Sequence, residues 1–451
     1  MTNTLLTHAY ITNEALDVLE NNLVFAKGVD RQYSAEFARA GAKIGYTINV
    51  RRPPRYIGTF GPGLNVEDTN ETYIPVTLTS QFHVDVQYTT ADLALSMDMF
   101  RPRVLDPVIA AVANRIDSDG LYFAYQNTAS AVGTPGIPPA SFLPFALARG
   151  ILVAEAAPKD LTPELCLDSI SMAYATDGIK GLFKPQARIG EAVERGLVAK
   201  YFAGLDWYED QNVVAFTTGA QGGAPQLTAN TAGAFLTSGW AQQGFIQTGG
   251  WSNTTGVLKV GDIIQIAGVF PANPQNRTQY GNALKQFVVL PPGGYAVQPS
   301  GAASPGLVFN AATLTSGTFN AATGVYTTSG GGALSIMIGE CAITGGQFQN
   351  CVTTAAFTST SALTVNGGTG NAAKASPQGI VFMKNAFALG FADLPVPGGV
   401  QQAARAADSD VGMSIRLVTQ YTINNDSEPT RADALYGYAG LYRQMAVRIM
   451  C

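Results

Sequence analysis

The sequence predicts an α+β protein organised on one long helix, with an all-β module interrupting its host. Three observations lead there. Residues 98–127 carry a helical apolar stripe. Residues 213–375 lose almost all charge and every strong helix signal. From residue 376 the charged composition returns, with strand-like alternation near the C-terminus.

In the long helix Leu105, Val108, Ile109, Val112 and Ile116 fall three or four residues apart or at multiples of that spacing, which lays them along one face. Asp106 suits an N-cap and Pro107 the first turn, where a missing N–H costs nothing. Arg101, Arg103 and Arg115 keep the remaining surface charged. Thirty helical residues would span roughly 45 Å, so other elements must lie along such a beam.

Before the beam, Thr12 with Leu16, Leu19 and Leu23 predicts a short helix, followed by an extended arm. Strand alternation covers 43–50 and again 76–86. Pro53, Pro54, Gly58, Gly61, Pro62 and Gly63 break the stretch between. This predicts a long two-stranded excursion with a mobile tip. A lone ribbon is marginally stable, and its exposed backbone makes sense if another chain covers it. After the beam, Thr162-Pro163-Glu164 predicts a helix to about Ala175 with Leu165, Ile170 and Met172 in the core. A short strand at 180–183 and a helix over 185–202 follow.

Residues 213–375 hold four basic residues (Lys259, Arg277, Lys285, Lys374) and two acidic ones (Asp262, Glu340). Strands are predicted on both sides of Gly261-Asp262 and at 287–290. The FNAAT motif occurs at Phe309 and again at Phe319, a spacing that suits hairpin strands. Beyond it, 413–423 alternates as a strand, and 431–449 reads as strand, turn and strand returning to the first domain.

The net charge of −5 gives no global field toward nucleic acid or an anionic membrane. Cys166, Cys341, Cys351 and Cys451 show no metal-ligand spacing and are expected to be reduced and structural, although Cys341 and Cys351 could pair across a hairpin. The first sixteen residues lack the basic and apolar regions of a signal peptide, and no run approaches the length of a membrane-spanning helix. His8 and His83 sit in no metal or nucleophile motif, and Gly368-Thr369-Gly370 does not join a strand to a helix as a nucleotide loop does. Catalytic, cofactor-binding and metal-binding residues are therefore expected to be none. Glu209-Asp210, Asp117 with Asp119, and Asp408 with Asp410 are read as solvated turns or helix faces. The sharpest polar cluster is Arg51, Arg52 and Arg55 beside Tyr56, and with Phe60 these are the candidate inter-subunit contact residues. The arginines suit salt bridges to a neighbouring chain, or contacts with nucleic-acid phosphates.

Five blocks carry a family resemblance in their shared order: TLLTHAYITNEALDVLENNLVFAKGVDRQY, GYTINVRRPPRY, VLKVGDIIQIAGVFPANPQNRTQYGNALKQFVV, GIVFMKNAFALGFADLP and RADALYGYAGLYRQMAVRI. Together they resemble the major capsid (coat) proteins of short-tailed double-stranded DNA phages, the P-22-type coat protein family. The resemblance implies the Hong Kong 97-type capsid fold. Its parts would be an N-terminal arm (1–43), an E-loop with flanking strands (44–97) and a peripheral domain with a spine helix (98–149). An axial domain (150–212 and 376–412), an inserted β-rich domain (213–375) and peripheral C-terminal strands (413–451) would complete it. Residues 291–332 are longer and lower in complexity than the family's inserted domain. That leaves an immunoglobulin-like sandwich or an extra surface hairpin open there, and puts relatives' uses of the domain, in monomer folding and capsomer bridging, in doubt.

The implied function is self-assembly into an icosahedral head around double-stranded DNA, through a scaffolded precursor shell that expands on packaging. Implied partners are further copies in hexamers and pentamers, a scaffolding protein, a portal protein and DNA held non-specifically on the inner face, with no membrane. Whether a decoration protein caps the shell stays open. The location would be the virion capsid, assembled in the host cytoplasm. The alternative is a phage or cell-surface receptor-binding protein with 213–375 as its head.

Overall fold

The computed structural model describes residues 23–32, 47–78, 80–89, 106–179, 204–219, 222–228, 234–251, 258–292, 317–321, 324–328, 333–354, 357–358, 360–366, 374–408 and 413–451. The helix start at Thr12, the elements at 180–202, the first FNAAT copy, Gly368–Gly370 and the first eight residues of the beam lie outside these.

Among the described residues, four α-helices and a set of mostly antiparallel strands form a mixed α and β structure. The helices are α1 (Phe25–Gly28), α2 (Asp106–Asn127), α3 (Leu143–Ala154) and α4 (Ser169–Ile179). In α2 Ile109, Val112 and Ile116 of the predicted stripe are buried, and Ala113 with them. Farther along, Leu121, Phe123, Ala124 and Tyr125 are buried in succession, because this half of the helix is packed from several sides. Its last carbonyls are satisfied by side chains: Asn127 Nδ2 donates to Phe123 O at 2.7 Å and Thr128 Oγ1 to Ala124 O at 2.8 Å.

The long strand Ser427–Gly440 lies on α2 and is fixed to it by two hydroxyls. Tyr436 donates to Asp119 at 2.8 Å and Tyr438 to the Ile116 carbonyl at 3.0 Å. Strands Phe387–Ala392, Met413–Thr419, Gln402–Asp408 and Ser80–Thr89 complete this sheet. A second sheet runs Ala131–Gly133, Ala446–Met450, Ala375–Phe382, Glu164–Leu167, Asp206–Glu209. Its two faces feed two cores by period-two alternation. Leu165, Leu167, Val381 and Val447 pack with Phe145, Leu152 and Met172 of α3 and α4, while Cys166, Ile380, Phe382 and Ala446 join the α2 core.

Two expectations are corrected here. The predicted helix from Thr162 begins as the strand Glu164–Leu167, and α4 starts only at Ser169. A short strand buried on both faces has no polar alternation, so it reads like a turn of core helix. Met172 and Leu165 are core, but Ile170 is 70% exposed. The acidic residues Asp117, Asp119 and Asp210 are buried rather than solvated. Asp117 accepts from the backbone N–H groups of Val24, Phe25 and Ala26 at 3.0, 3.3 and 2.8 Å, tying α1 to α2. Burial and the neighbouring Asp210 push its carboxyl well above the usual range.

The chain leaves the second sheet at Ala215–Thr217 and returns at Ala375, and the leaving and returning segments pair antiparallel as Ala215↔Pro377, Phe216↔Ser376 and Thr217↔Ala375. Between them a six-stranded sheet runs Leu363–Val365, Ile263–Ile266, Gln286–Leu290, Leu334–Gly339, Gln243–Trp251, Gly223–Leu227, each neighbouring pair antiparallel. The Gln226↔Ala362 bridge and the 2.9 Å bond from Leu227 N to Ser361 O join the first strand to the last. The sheet therefore closes on itself as a barrel, not as the two-sheet immunoglobulin-like alternative. Ile264, Ile266, Phe287, Val289, Ile336 and Ile338 fill it. The alternate residues Val288, Leu290 and Met337 face outward and pack on Ala129 beyond α2. At this junction Arg448 is fully buried and donates to Gly261 O at 2.8 Å. Gly261 has φ +96°, a conformation unfavourable for a side chain, and an added Cβ would sit 3.1 Å from the Tyr125 ring. All four cysteines are buried thiols, and Cys341 and Cys351 form no disulfide.

Candidate functional site

The ribbon pairs Thr47–Arg52 with Thr72–Thr77, in register from Thr47↔Thr77 to Arg52↔Thr72. Pairing stops at Arg52 because Pro53 and Pro54 offer no N–H. Ile74 and Val76 bury the base of the ribbon against Ala388, Ala439 and Leu441. Gly437 of the long strand allows the close approach: a Cβ there would lie 2.2 Å from the Thr77 carbonyl oxygen.

The five predicted contact residues diverge instead of forming one patch. Arg51 makes an exposed 3.6 Å ion pair with Glu71 on the opposite strand. Arg52 stacks its guanidinium over Tyr442 at 4.9 Å and Trp240 at 5.6 Å. Arg55 turns into a cleft of about 60 Å³ that Glu155, Glu340 and Arg443 also line. Burial, then the charge of Arg52, holds the Arg55 guanidinium below its usual range. In the same cleft Glu155 accepts from the Tyr280 hydroxyl at 2.5 Å, and burial raises its carboxyl. Tyr56 reaches Thr69 across the tip at 3.0 Å, and Phe60 stands fully in solvent. Each of the three arginines thus has neighbours within its own chain, and of the five residues Arg51, Tyr56 and Phe60 are exposed.

Sequence reasoning missed further exposed residues of the ribbon tip. Leu64 is 93% exposed and Val66 79%, and Ile57 is also exposed. Their signal was the placing of apolar residues at 57, 60, 64 and 66 in a Gly- and Pro-rich loop. The tip is held by Glu67, whose carboxylate accepts from Ile57 N at 2.7 Å and Gly58 N at 2.5 Å. Those backbone bonds keep the carboxyl below its usual range. Two residues from the inserted module also reach the loop: Arg277 Nη2 donates to Tyr56 O at 2.8 Å, and Gln347 Nε2 donates to Asp68 O at 2.7 Å.

Leu143, Leu147 and Val153 on α3 and Ile170 and Tyr174 on α4 are also exposed. Among the described residues no group of three or more His, Cys, Asp or Glu could hold a metal, and no helix is long and apolar enough to cross a membrane.

No family model and no curated protein matches the sequence. Among solved structures, the chain is similar to one from Mycobacterium phage Che8, at a TM-score of 0.45 and 9% identity over 95% of this chain and 90% of that one. It is also similar to the capsid structure of the cyanophage P-SCSP1u (0.41, 9%, 95% and 88%) and to the mature capsid of bacteriophage PhiM1 (0.40, 10%, 95% and 86%). At these low scores and identities no residue role is carried across from them.

Proposed function

We propose that this chain is the major capsid protein of a double-stranded DNA phage, a structural protein that assembles in many copies into an icosahedral shell. The observation that carries the reading is the ribbon: a rigidly rooted, clamped loop whose Ile57, Phe60, Leu64 and Val66 lie in solvent. The sequence blocks that resemble the P-22-type coat family, and the further exposed apolar residues on α3 and α4, support it. The ribbon serves as the E-loop of a Hong Kong 97-type fold and α2 as its spine helix. Residues 150–212 and 376–412 serve as the axial domain, and the barrel as the inserted domain.

The mechanism is assembly, not turnover. Each ribbon lies over an adjacent subunit and buries its apolar side chains there. A Phe or Leu taken from water stabilises a contact by about 1.5–3 kcal/mol, before the cost of ordering both surfaces. Closure makes many such weak contacts act together. A net charge of −5 per subunit suits a wall that confines DNA without gripping it. The precursor shell forms on a scaffolding protein around a portal and expands on packaging.

The test is negative-stain electron microscopy of the protein expressed with its scaffolding protein, beside the protein expressed alone. Closed shells or uniform tubes of shell protein are expected. A monodisperse monomer or trimer under both conditions would refute the reading and favour a receptor-binding protein.

A further inference from the structure

We infer, building on the capsid reading above, that the inserted barrel module aims the ribbon of its own chain through Arg277 and Gln347, before the ribbon meets a second copy. The two residues take hold of both legs of the loop. Arg277 donates to the carbonyl of Tyr56 on the outgoing leg. On the returning leg Gln347 donates to the Asp68 carbonyl at 2.7 Å and accepts from Asn70 Nδ2 at 2.9 Å. Glu67, between those contacts, ties the legs together and lies in the field of Arg277.

Both residues stand on turns built to hold them. Arg277 has φ +57°, a left-handed conformation that a non-glycine side chain adopts at a cost. Its N–H donates to Asn273 O at 2.8 Å, while Asn273 Oδ1 accepts from the N–H groups of Gln275 and Asn276. Asn273 Nδ2 then anchors the turn on the body, donating to Ala154 O at the end of α3 at 2.6 Å. Glycine would relieve the strained backbone, yet it would bring no guanidinium to the ribbon. The Gln347 turn is stapled by Asn350, which accepts from Ile343 N and donates to Cys341 O, each at 2.9 Å.

The cradle engages backbone carbonyls and polar side chains only. Phe60, Leu64 and Val66 remain in solvent, so one edge of the ribbon is fixed from behind and the other is presented forward. A two-stranded ribbon on its own would sample many angles, and each would have to be narrowed at the moment of contact. The module removes that search inside the subunit. Arg277 and Gln347 are positioning residues that touch no partner.

The experiment measures the angle directly. Spin labels are placed on the unassembled subunit at Gly63→Cys, where an added Cβ meets nothing, and at Thr364→Cys on an exposed position of a barrel strand. The native cysteines are buried and leave the label to these two sites. A narrow distance distribution is expected in the parent. In Arg277→Gly with Gln347→Ala it should become at least about twice as broad, with the melting temperature unchanged, because glycine fits the turn. Shell assembly by that variant should slow about tenfold, the scale of losing one or two polar contacts. Arg277→Lys should recover part of both effects. An equally narrow distribution in the variant would overturn the cradle, and so would a broad distribution with undiminished assembly. If the parent forms no shells the capsid reading fails, and the width of the distribution still decides whether the cradle exists.

Discussion

The ribbon and the barrel use similar material to opposite ends. Both are antiparallel, both are rich in Gly and Thr, and both place apolar residues on their strands. In the barrel the sheet returns to its first strand, so its edges are bonded and Phe287, Ile336 and Ile338 are sealed inside. In the ribbon there are two strands and no closure, and Phe60 and Leu64 stand in water. The difference lies in whether the chain completes its own surface. The barrel is finished within one copy; the ribbon is finished by something else.

The largest test of that contrast removes the ribbon tip. Deleting Ile57–Thr72 should leave a monomer with unchanged circular dichroism that forms no closed shells; normal shells from it would end the E-loop assignment. Next come matched truncations. Phe287→Ala should destabilise the monomer by about 3–5 kcal/mol in denaturant titration, by the loss of a buried ring and the cavity left behind. Phe60→Ala should change monomer stability by less than about 0.5 kcal/mol while weakening assembly, the reverse pattern. Similar monomer losses from both would erase the distinction. Gly437→Ala should cost about 1–3 kcal/mol, since the methyl must push back the Thr77 carbonyl that roots the ribbon. An unchanged melting temperature would count against that close approach.

The smallest effect belongs to neither region and serves as a baseline. Glu164, in the second sheet, is pushed up to about 7 by burial and then by Asp206. The fold therefore holds its proton more tightly than the unfolded chain does. Its stabilising contribution is full below about pH 4.5 and is lost as pH rises through 7. Glu164→Gln should flatten the fall in stability across that window, measured as denaturation midpoints from pH 4.5 to 8. Parallel profiles for parent and variant would assign the fall to other groups.

Period and composition made several elements legible in the sequence. The buried face of α2 follows from Ile109, Val112 and Ile116, and 431–449 reads as the terminal strand, turn and strand. The fall in charge between 213 and 375 sits beside the paired stems at 215–217 and 375–377. What stayed hidden depends on distant partners. Glu164–Leu167 is a strand because Ala375–Phe382 and Asp206–Glu209 bond both its edges while two cores cover its faces, and four residues carry no sign of that. Asp117 and Asp210 look like surface acids until α1 and the second sheet enclose them. At the site, the arginines announced themselves by their clustering, but their separation by Glu71, Tyr442 and the Glu155 cleft is tertiary. Arg277 and Gln347 reach the ribbon from more than 200 residues away.

The paired stems have a consequence for how such a gene can change. Thr218 and Lys374 exchange two bonds of 3.0 Å, so the intervening polypeptide begins and ends at one place on the body. A stretch whose ends coincide is a cassette. It can be gained, traded or replaced by a few linking residues without moving a strand of the sheet that carries it. A foreign domain with neighbouring termini can be grafted at the same point for display. Lineages can then keep one body while the material carried between those two residues diverges freely.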